Sequence, residues 1–189
     1  YYSYYDRSVE ADNCNFQENG WGFYAYADGR YHNGGQFPGD RGWRADGETH
    51  RFVNCDIARN THGVGLIYGK DDSVEFVNTP IHDNTSYGLY TVHGEMNFNP
   101  ETMGRNWDLS NNGYHIVAGY GKFRFEDLDF TDAKIGGVST HYSDIVVKNC
   151  TFSNNAQYGI HSYYNKAFLI EDSQVVDNGY IHENGHRYG

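Results

Sequence analysis

Short alternating stretches recur along the chain. In Val74-Glu75-Phe76-Val77 and Phe123-Arg124-Phe125-Glu126, apolar side chains mostly fall on one side and charged ones on the other. A period of two predicts strands with one buried face. Each stretch is followed by a polar turn residue, at Asn13, Asn54, Asn78, Asp127, Asn149 and Asp172, so the spacings are 41, 24, 49, 22 and 23 residues. Forty-nine is two periods, and 41 is one period plus an insertion. A small residue then leads to a second short strand with an inward Phe16, Ile57, Ile81, Phe130, Phe152 or Val175. After another polar corner comes a third strand opened by glycine and an apolar residue: Gly22-Phe23, Gly65-Leu66, Gly88-Leu89, Gly137-Val138 and Gly159-Ile160.

Three short strands every 22–24 residues predict an all-β solenoid of about seven or eight coils, one domain over residues 1–189 with a loop insertion at about 27–49. A coil cannot bury its inner face alone, so stacking on its neighbours makes it stable. Composition agrees. Nineteen Asn beside 23 Gly supply turn chemistry with only 3 Pro, whereas five Leu and nine Ala are too few for a helical bundle. The corner Asn residues tolerate left-handed backbone angles and can bond to the next coil.

The repeated Asn-Cys and Asn-Thr corners, the Asn-Asn and Asp-Asn second corners and the Gly-Ile strands resemble the right-handed parallel β-helix (pectate-lyase-like) superfamily. That group contains pectate lyases, mannuronan C5-epimerases and phage tailspikes. The resemblance runs over nearly the whole chain and implies the fold. One solenoid hosts many chemistries, so it does not by itself imply an activity.

Charge and cysteine usage narrow the rest. Fourteen Lys and Arg against 25 Asp and Glu leave a net charge of -11, which disfavours nucleic acid and anionic membranes as partners. No apolar run is long enough to span a bilayer, so no membrane insertion is expected. Cys14, Cys55 and Cys150 have no CxxC spacing and read as small core residues. The chain opens Tyr-Tyr-Ser-Tyr-Tyr without Met and is expected to be a mature product or an excerpt, placed outside the cell or on its surface.

Laying the end of the sequence on its beginning gives a matched register. Tyr158-Gly159 through Asn178-Gly179 aligns with Tyr188-Gly189 continued into Tyr1 through Gly20, with seven identities over 22 positions. With no amphipathic helix capping either end, Tyr1, Tyr2, Tyr4, Tyr5, Tyr180, His186 and Tyr188 become candidate assembly residues. They would join copies of the chain head to tail, or units of a longer array.

If the residue after each strand glycine points in and the next points out, Tyr24, Ile67, Tyr90, Ser139 and His161 share an outer stripe, with His141 and Tyr163 beside it and His115 placed in it. Aromatic faces suit sugar rings, which makes Tyr24, Tyr90 and His115 glycan-binding candidates. Trp43, Arg41 and Arg44 in the insertion join them, since an Arg–Trp pair grips a carboxylated or sulfated sugar. Uronate lyases and epimerases need a base and an acid, for which His141 or His161 and Tyr163 are the candidates. Mannuronan epimerases carry Tyr-Gly-x-Asp-Pro-His at such a strand; Tyr158-Gly159-Ile160-His161-Ser162-Tyr163 lacks the Asp and the Pro-His. No cofactor is expected. Ca2+ could bridge Asp28, Asp40, Asp46 and Glu48, but no motif supports it. Asn84 and Asn149 head Asn-x-Ser/Thr triplets, and Asn84 is the better glycosylation candidate because Asn149 reads as a ladder residue. The leading expectation is an extracellular structural or assembly module. The alternatives are a lyase or C5-epimerase on a uronate-containing glycan, and a non-catalytic glycan-binding module.

Overall fold

The computed structural model describes residues 1–4, 8–26, 49–67, 73–104, 107–181 and 187–188. The chain first forms β1 (Tyr2–Tyr4), β2 (Ser8–Asp12), β3 (Asn15–Gln17) and β4 (Trp21–Tyr26). Two further turns follow: β5 (Thr49–Val53), β6 (Asp56–Ala58) and β7 (His62–Ile67), then β8 (Ser73–Val77), β9 (Ile81–His82) and β10 (Tyr87–Val92). An irregular turn holds β11 (Glu95–Phe98), the short helix α1 (Pro100–Met103) and β12 (Tyr114–Gly119). Regular winding resumes with β13 (Lys122–Glu126), β14 (Asp129–Thr131) and β15 (Gly136–His141), and then β16 (Asp144–Lys148), β17 (Thr151–Ser153) and β18 (Tyr158–Tyr163). Last come β19 (Ala167–Glu171), β20 (Gln174–Val176), β21 (Tyr180–Ile181) and β22 (Arg187–Tyr188).

Like strands of successive turns pair in parallel. One long sheet runs β1-β4-β7-β10-β12-β15-β18, a second side is built from β2-β5-β8 and β11-β13-β16-β19, and a third from β3-β6-β9 and β14-β17-β20. The molecule is the expected all-β solenoid. Among the described residues five turns carry all three strands, fewer than the seven or eight expected. The difference lies in partial turns at either end and in the turn holding α1. There Asn99 caps the helix, Met103 is 1% exposed, and the carbonyls of Asp108 and Ser110 accept from the N–H groups of Ile81 in β9 and of Asp83 just after it, where a third strand would lie.

The corners show why the sequence winds this way. Asn13, Asn54, Asn78, Asp127, Asn149 and Asp172 all have φ between 47° and 56°, the left-handed region that Asn and Asp tolerate best. The residue after each turns inward, and Cys55, Thr79, Cys150 and Ser173 each donate S–H or O–H to the carbonyl two residues back. Cysteine here is one of several small donors filling the same rung, which accounts for the odd number. Inside, rings stack in register: Phe52 on Phe76 at 5.2 Å, Phe98 on Phe125 at 5.1 Å and Phe130 on Phe152 at 4.8 Å. Each fully buried ring contributes about 2–3 kcal/mol of transfer free energy.

A second ladder lies within the wall. The backbone N–H of Asn19, Asn60, Asn84, Ala133 and Asn155 donates to the side-chain oxygen of Asn60, Asn84, Asn112, Asn155 and Asn178, one turn on. The amides of Asn60, Asn84, Asn112, Asn155 and Asn178 in turn donate back to Phe16, Ile57, Ile81, Phe130 and Phe152 carbonyls. Asn84 is 0% exposed in the middle of this ladder, so the expectation that it carries a glycan is corrected: its amide nitrogen is spent on Ile57 and Asn112. Asn149 is instead the exposed corner residue, bonded to Asp127 at 2.6 Å. Asn84→Ala is expected to cost about 2–4 kcal/mol by urea unfolding, because it orphans the Asn60 N–H and the Ile57 carbonyl in a buried place. A loss below 0.5 kcal/mol would show the ladder to be incidental (about that value marks ordinary surface substitutions).

Candidate functional site

Register stacks the outer positions of the long sheet into columns. The first holds Trp21, His62, Tyr87, Tyr114, Gly136 and Tyr158. At the next position a Cβ on Gly22 would strike Ile57 and Asn60, so that position faces inward. Its successor does too, since Phe23, Val64, Leu89, Ile116 and Val138 are at most 1% exposed. Two inward positions in a row displace the alternation. The second outer column is therefore Tyr2, Tyr24, Gly65, Tyr90, Val117, Ser139 and His161, and the third includes Ile67, Val92, Gly119, His141 and Tyr163.

Two expected members of the stripe move. His115 is level with the inward glycines, 1% exposed, 6.3 Å from Phe130 between ring centroids, and neither ring nitrogen has a hydrogen-bond partner. Burial, opposed only by Asp108, holds its pKa down at about 4. It is a core residue and not a glycan contact. Ile67 belongs to the third column, because Gly63-Val64 and not Gly65-Leu66 is the pair level with Gly22-Phe23.

The proposed acid–base trio does come together. His141 and Tyr163 are register partners whose rings stack at 5.4 Å, and His161 lies 5.3 Å from Tyr163. Burial lowers the pKa of His141 and of His62, so both imidazoles are neutral near pH 7. Burial first, and then neighbouring phenols, raise those of Tyr90 and Tyr114; Tyr163 is among the neighbours of both. Tyr24 and Tyr90 share a column but are separated by Gly65, with Trp21 at 5.0 Å from one and 6.3 Å from the other.

Glycines shape this surface. A Cβ on Gly65 would meet the rings of Trp21 and Tyr24, one on Gly119 the ring of His141, and one on Gly136 the ring of Tyr114. Each ring lies over the bare strand that glycine provides. Trp21, His62 and Tyr87 continue the packing, with centroids 4.4 and 4.9 Å apart. Sequence reasoning missed this first column, although an aromatic residue directly before glycine in Trp21-Gly22, His62-Gly63, Tyr87-Gly88 and Tyr158-Gly159 marks it.

It also missed the corner beside the sheet. His93, Tyr120, Tyr142 and Tyr164 have φ of 68°, 58°, 51° and 53°, a region bulky side chains rarely adopt. Tyr120 stacks on Tyr142 at 5.1 Å and Tyr142 on Tyr164 at 5.3 Å, all three exposed. None of the residues in these columns is Asp, Glu, Lys or Arg.

Other candidates fall elsewhere. Trp43, Arg41 and Arg44, the carboxylates suggested for Ca2+, and Tyr5 and His186 lie outside the described residues. Among the described residues no cluster of three or more His, Cys, Asp or Glu side chains is placed to hold a metal ion. Tyr1 stacks on Phe23 at 5.4 Å, and Tyr2 lies 5.5 Å from Tyr24. Tyr4 continues β1 beside Tyr26. Tyr180 and Tyr188, candidates for the assembly ends, are partners in an antiparallel pair. No helix among the described residues is long and apolar enough to cross a membrane.

A parallel solenoid whose longest sheet carries an outer band of aromatic rings is thus the class that fold and surface define. The chain belongs to the family described as the right-handed β-helix region, whose model matches residues 2–188. No curated protein and no solved structure matches it.

Proposed function

We propose that this β-helix is a non-catalytic glycan-binding module acting outside the cell or at its surface, with the outer face of the long sheet holding a polysaccharide. The observation that carries the proposal is an outer band of Tyr, His and Trp rings packed in two groups, one joining Trp21, Tyr24, His62, Tyr87 and Tyr90 and the other Tyr120, His141, Tyr142, Tyr158, His161, Tyr163 and Tyr164, with no Asp, Glu, Lys or Arg in the columns. With their faces stacked on one another, these rings offer edges and hydroxyls that donate and accept, the complement of the hydroxyls a sugar presents. Catalysis on a uronate finds less support. His141, His161 and Tyr163 are in contact, but these columns offer no cation to neutralise a carboxylate.

Affinity electrophoresis through gels containing a panel of polysaccharides tests this. The protein is expected to be retarded by at least one, Tyr163→Ala to lose most of that retardation with an unchanged circular dichroism spectrum, and the ligand to remain intact. Unsaturated uronate absorbance appearing in the same mixtures, and lost in His161→Ala or Tyr163→Phe, would instead establish the lyase reading. A second reading, head-to-tail stacking of copies, is favoured by Phe168, Ile170 and Val175 in the last turn, which are 41–49% exposed where earlier turns bury the same positions. Concentration-dependent elongation in light scattering would support it.

A further inference from the structure

We infer that the ligand of this face is an uncharged, extended β-linked glycan lying along the solenoid axis, one sugar residue per turn. This rests on the binding proposal above and narrows it.

Ring spacing matches an extended sugar chain. From one turn to the next, rings repeat at 4.9 Å (His62 to Tyr87), 5.1 Å (Tyr120 to Tyr142), 5.3 Å (Tyr142 to Tyr164) and 5.4 Å (His141 to Tyr163). The strand spacing of a sheet sets this repeat. A ribbon-like chain of β-1,4-linked pyranoses advances by nearly the same length per residue, so it stays in step over several turns. An α-linked chain curls and falls out of step after one or two. Chains laid across the axis, along the strands, would instead meet alternating inward and outward residues.

The corner beside the sheet points the same way. At the other two corners the left-handed residue is Asn or Asp in most turns, the inexpensive choice. At this one the same backbone is occupied by His93, Tyr120, Tyr142 and Tyr164. Holding a bulky residue there costs on the order of 1 kcal/mol each. Yet Tyr120, Tyr142 and Tyr164 remain 52%, 44% and 74% exposed, so burial does not repay the strain. Stacked along the axis, the rings turn their edges and hydroxyls outward in a row, at the pitch of the ladder. Tyr163 and His141 pack edge-on against that row, joining it to the sheet face.

Charge selects a neutral chain. A uronate or sulfated chain brings about one anion per residue or two, and it would meet no Lys or Arg in these columns of a protein with net charge -11.

The test uses the whole protein and isothermal titration with β-1,4-linked gluco-, manno- and xylo-oligosaccharides of two to six residues, alongside amylose, alginate and polygalacturonate. Expected is binding to a neutral β-linked series, with affinity rising at each added residue up to about four, the number of corner rungs, and then levelling. Tyr142→Asn is expected to weaken the tetramer at least tenfold while melting at the same temperature or higher, because Asn suits the corner backbone better than Tyr. Preference for the acidic or the α-linked polymers, or affinity independent of length, with Tyr163→Ala still abolishing binding, would overturn this inference and leave the binding proposal standing. Failure of every polysaccharide to bind would overturn both.

Discussion

Ala133→Asn alone is expected to destabilise the protein by about 1–3 kcal/mol, and adding His115→Gly to the same chain is expected to recover most of that loss. The reason is an exchange of volume between two turns. A Cβ on Gly22, Gly63, Gly88, Gly137 or Gly159 would approach the amide nitrogen of Asn60, Asn84, Asn112, Asn155 or Asn178 at 2.5–3.3 Å. Glycine on one turn makes the space that the ladder asparagine of the next turn fills. At the remaining place the glycine is His115 and the asparagine is Ala133, which takes the ladder position between Asn112 and Asn155. The imidazole occupies the volume that a side-chain amide has elsewhere.

Asn at 133 therefore collides with His115, an overpacking cost. His115→Gly alone leaves a void beside Ala133 and is expected to lose about 2 kcal/mol or more. Together the two changes restore the arrangement of the other turns and give the Asn112 N–H a side-chain acceptor. Urea unfolding of the four proteins in the cycle measures the coupling, expected at about 2 kcal/mol or more. Additive single effects, within about 0.5 kcal/mol, would show that the two positions do not share one space.

That exchange also marks the limit of what the sequence discloses. The winding was legible because its signals are local: Asn or Asp before a small residue, and glycine before an apolar one, need only a two-residue pattern to be seen. His141 and Tyr163 were legible for the same reason, standing at equal distances from Gly137 and Gly159 on adjacent strands, with His161 two residues before Tyr163. His115 was not. Its strand turns two successive residues inward, and elsewhere the first is glycine, whose missing side chain conceals the break in alternation. Only a neighbour 18 residues away, Ala133, tells that a bulky ring at this place points in. Asn84 failed differently. Asn84-Thr85-Ser86 satisfies a surface motif, but its role is set by Asn60 and Asn112 on the turns to either side. The corner stack escaped because Tyr120, Tyr142 and Tyr164 violate the local preference for Asn, and only pairing across turns shows that they repeat in register.

His115 gives the second large effect, an acid sensitivity of stability. In the fold its pKa is held at about 4, with burial as the first cause and the attraction of Asp108 a weaker opposing one; in the unfolded chain it returns toward 6.5. Above pH 6.5 the imidazole is neutral in both states and contributes no pH dependence. Between pH 6.5 and about 4 the unfolded chain takes up a proton that the folded protein refuses, so stability falls as the pH falls. Below about 4 both states are protonated and the loss is complete, amounting to about 3 kcal/mol. His62 and His141, also lowered by burial, add losses of the same sign in the same direction of pH. The variant carrying both His115→Gly and Ala133→Asn separates the contributions, since it keeps His50, His62 and His141 and removes only the imidazole of His115. Its stability between pH 7 and pH 4 is expected to fall by about 3 kcal/mol less than that of the parent. Parallel curves for the two proteins would mean that His115 meets a proton as readily folded as unfolded, and that its ring is not sealed in the core.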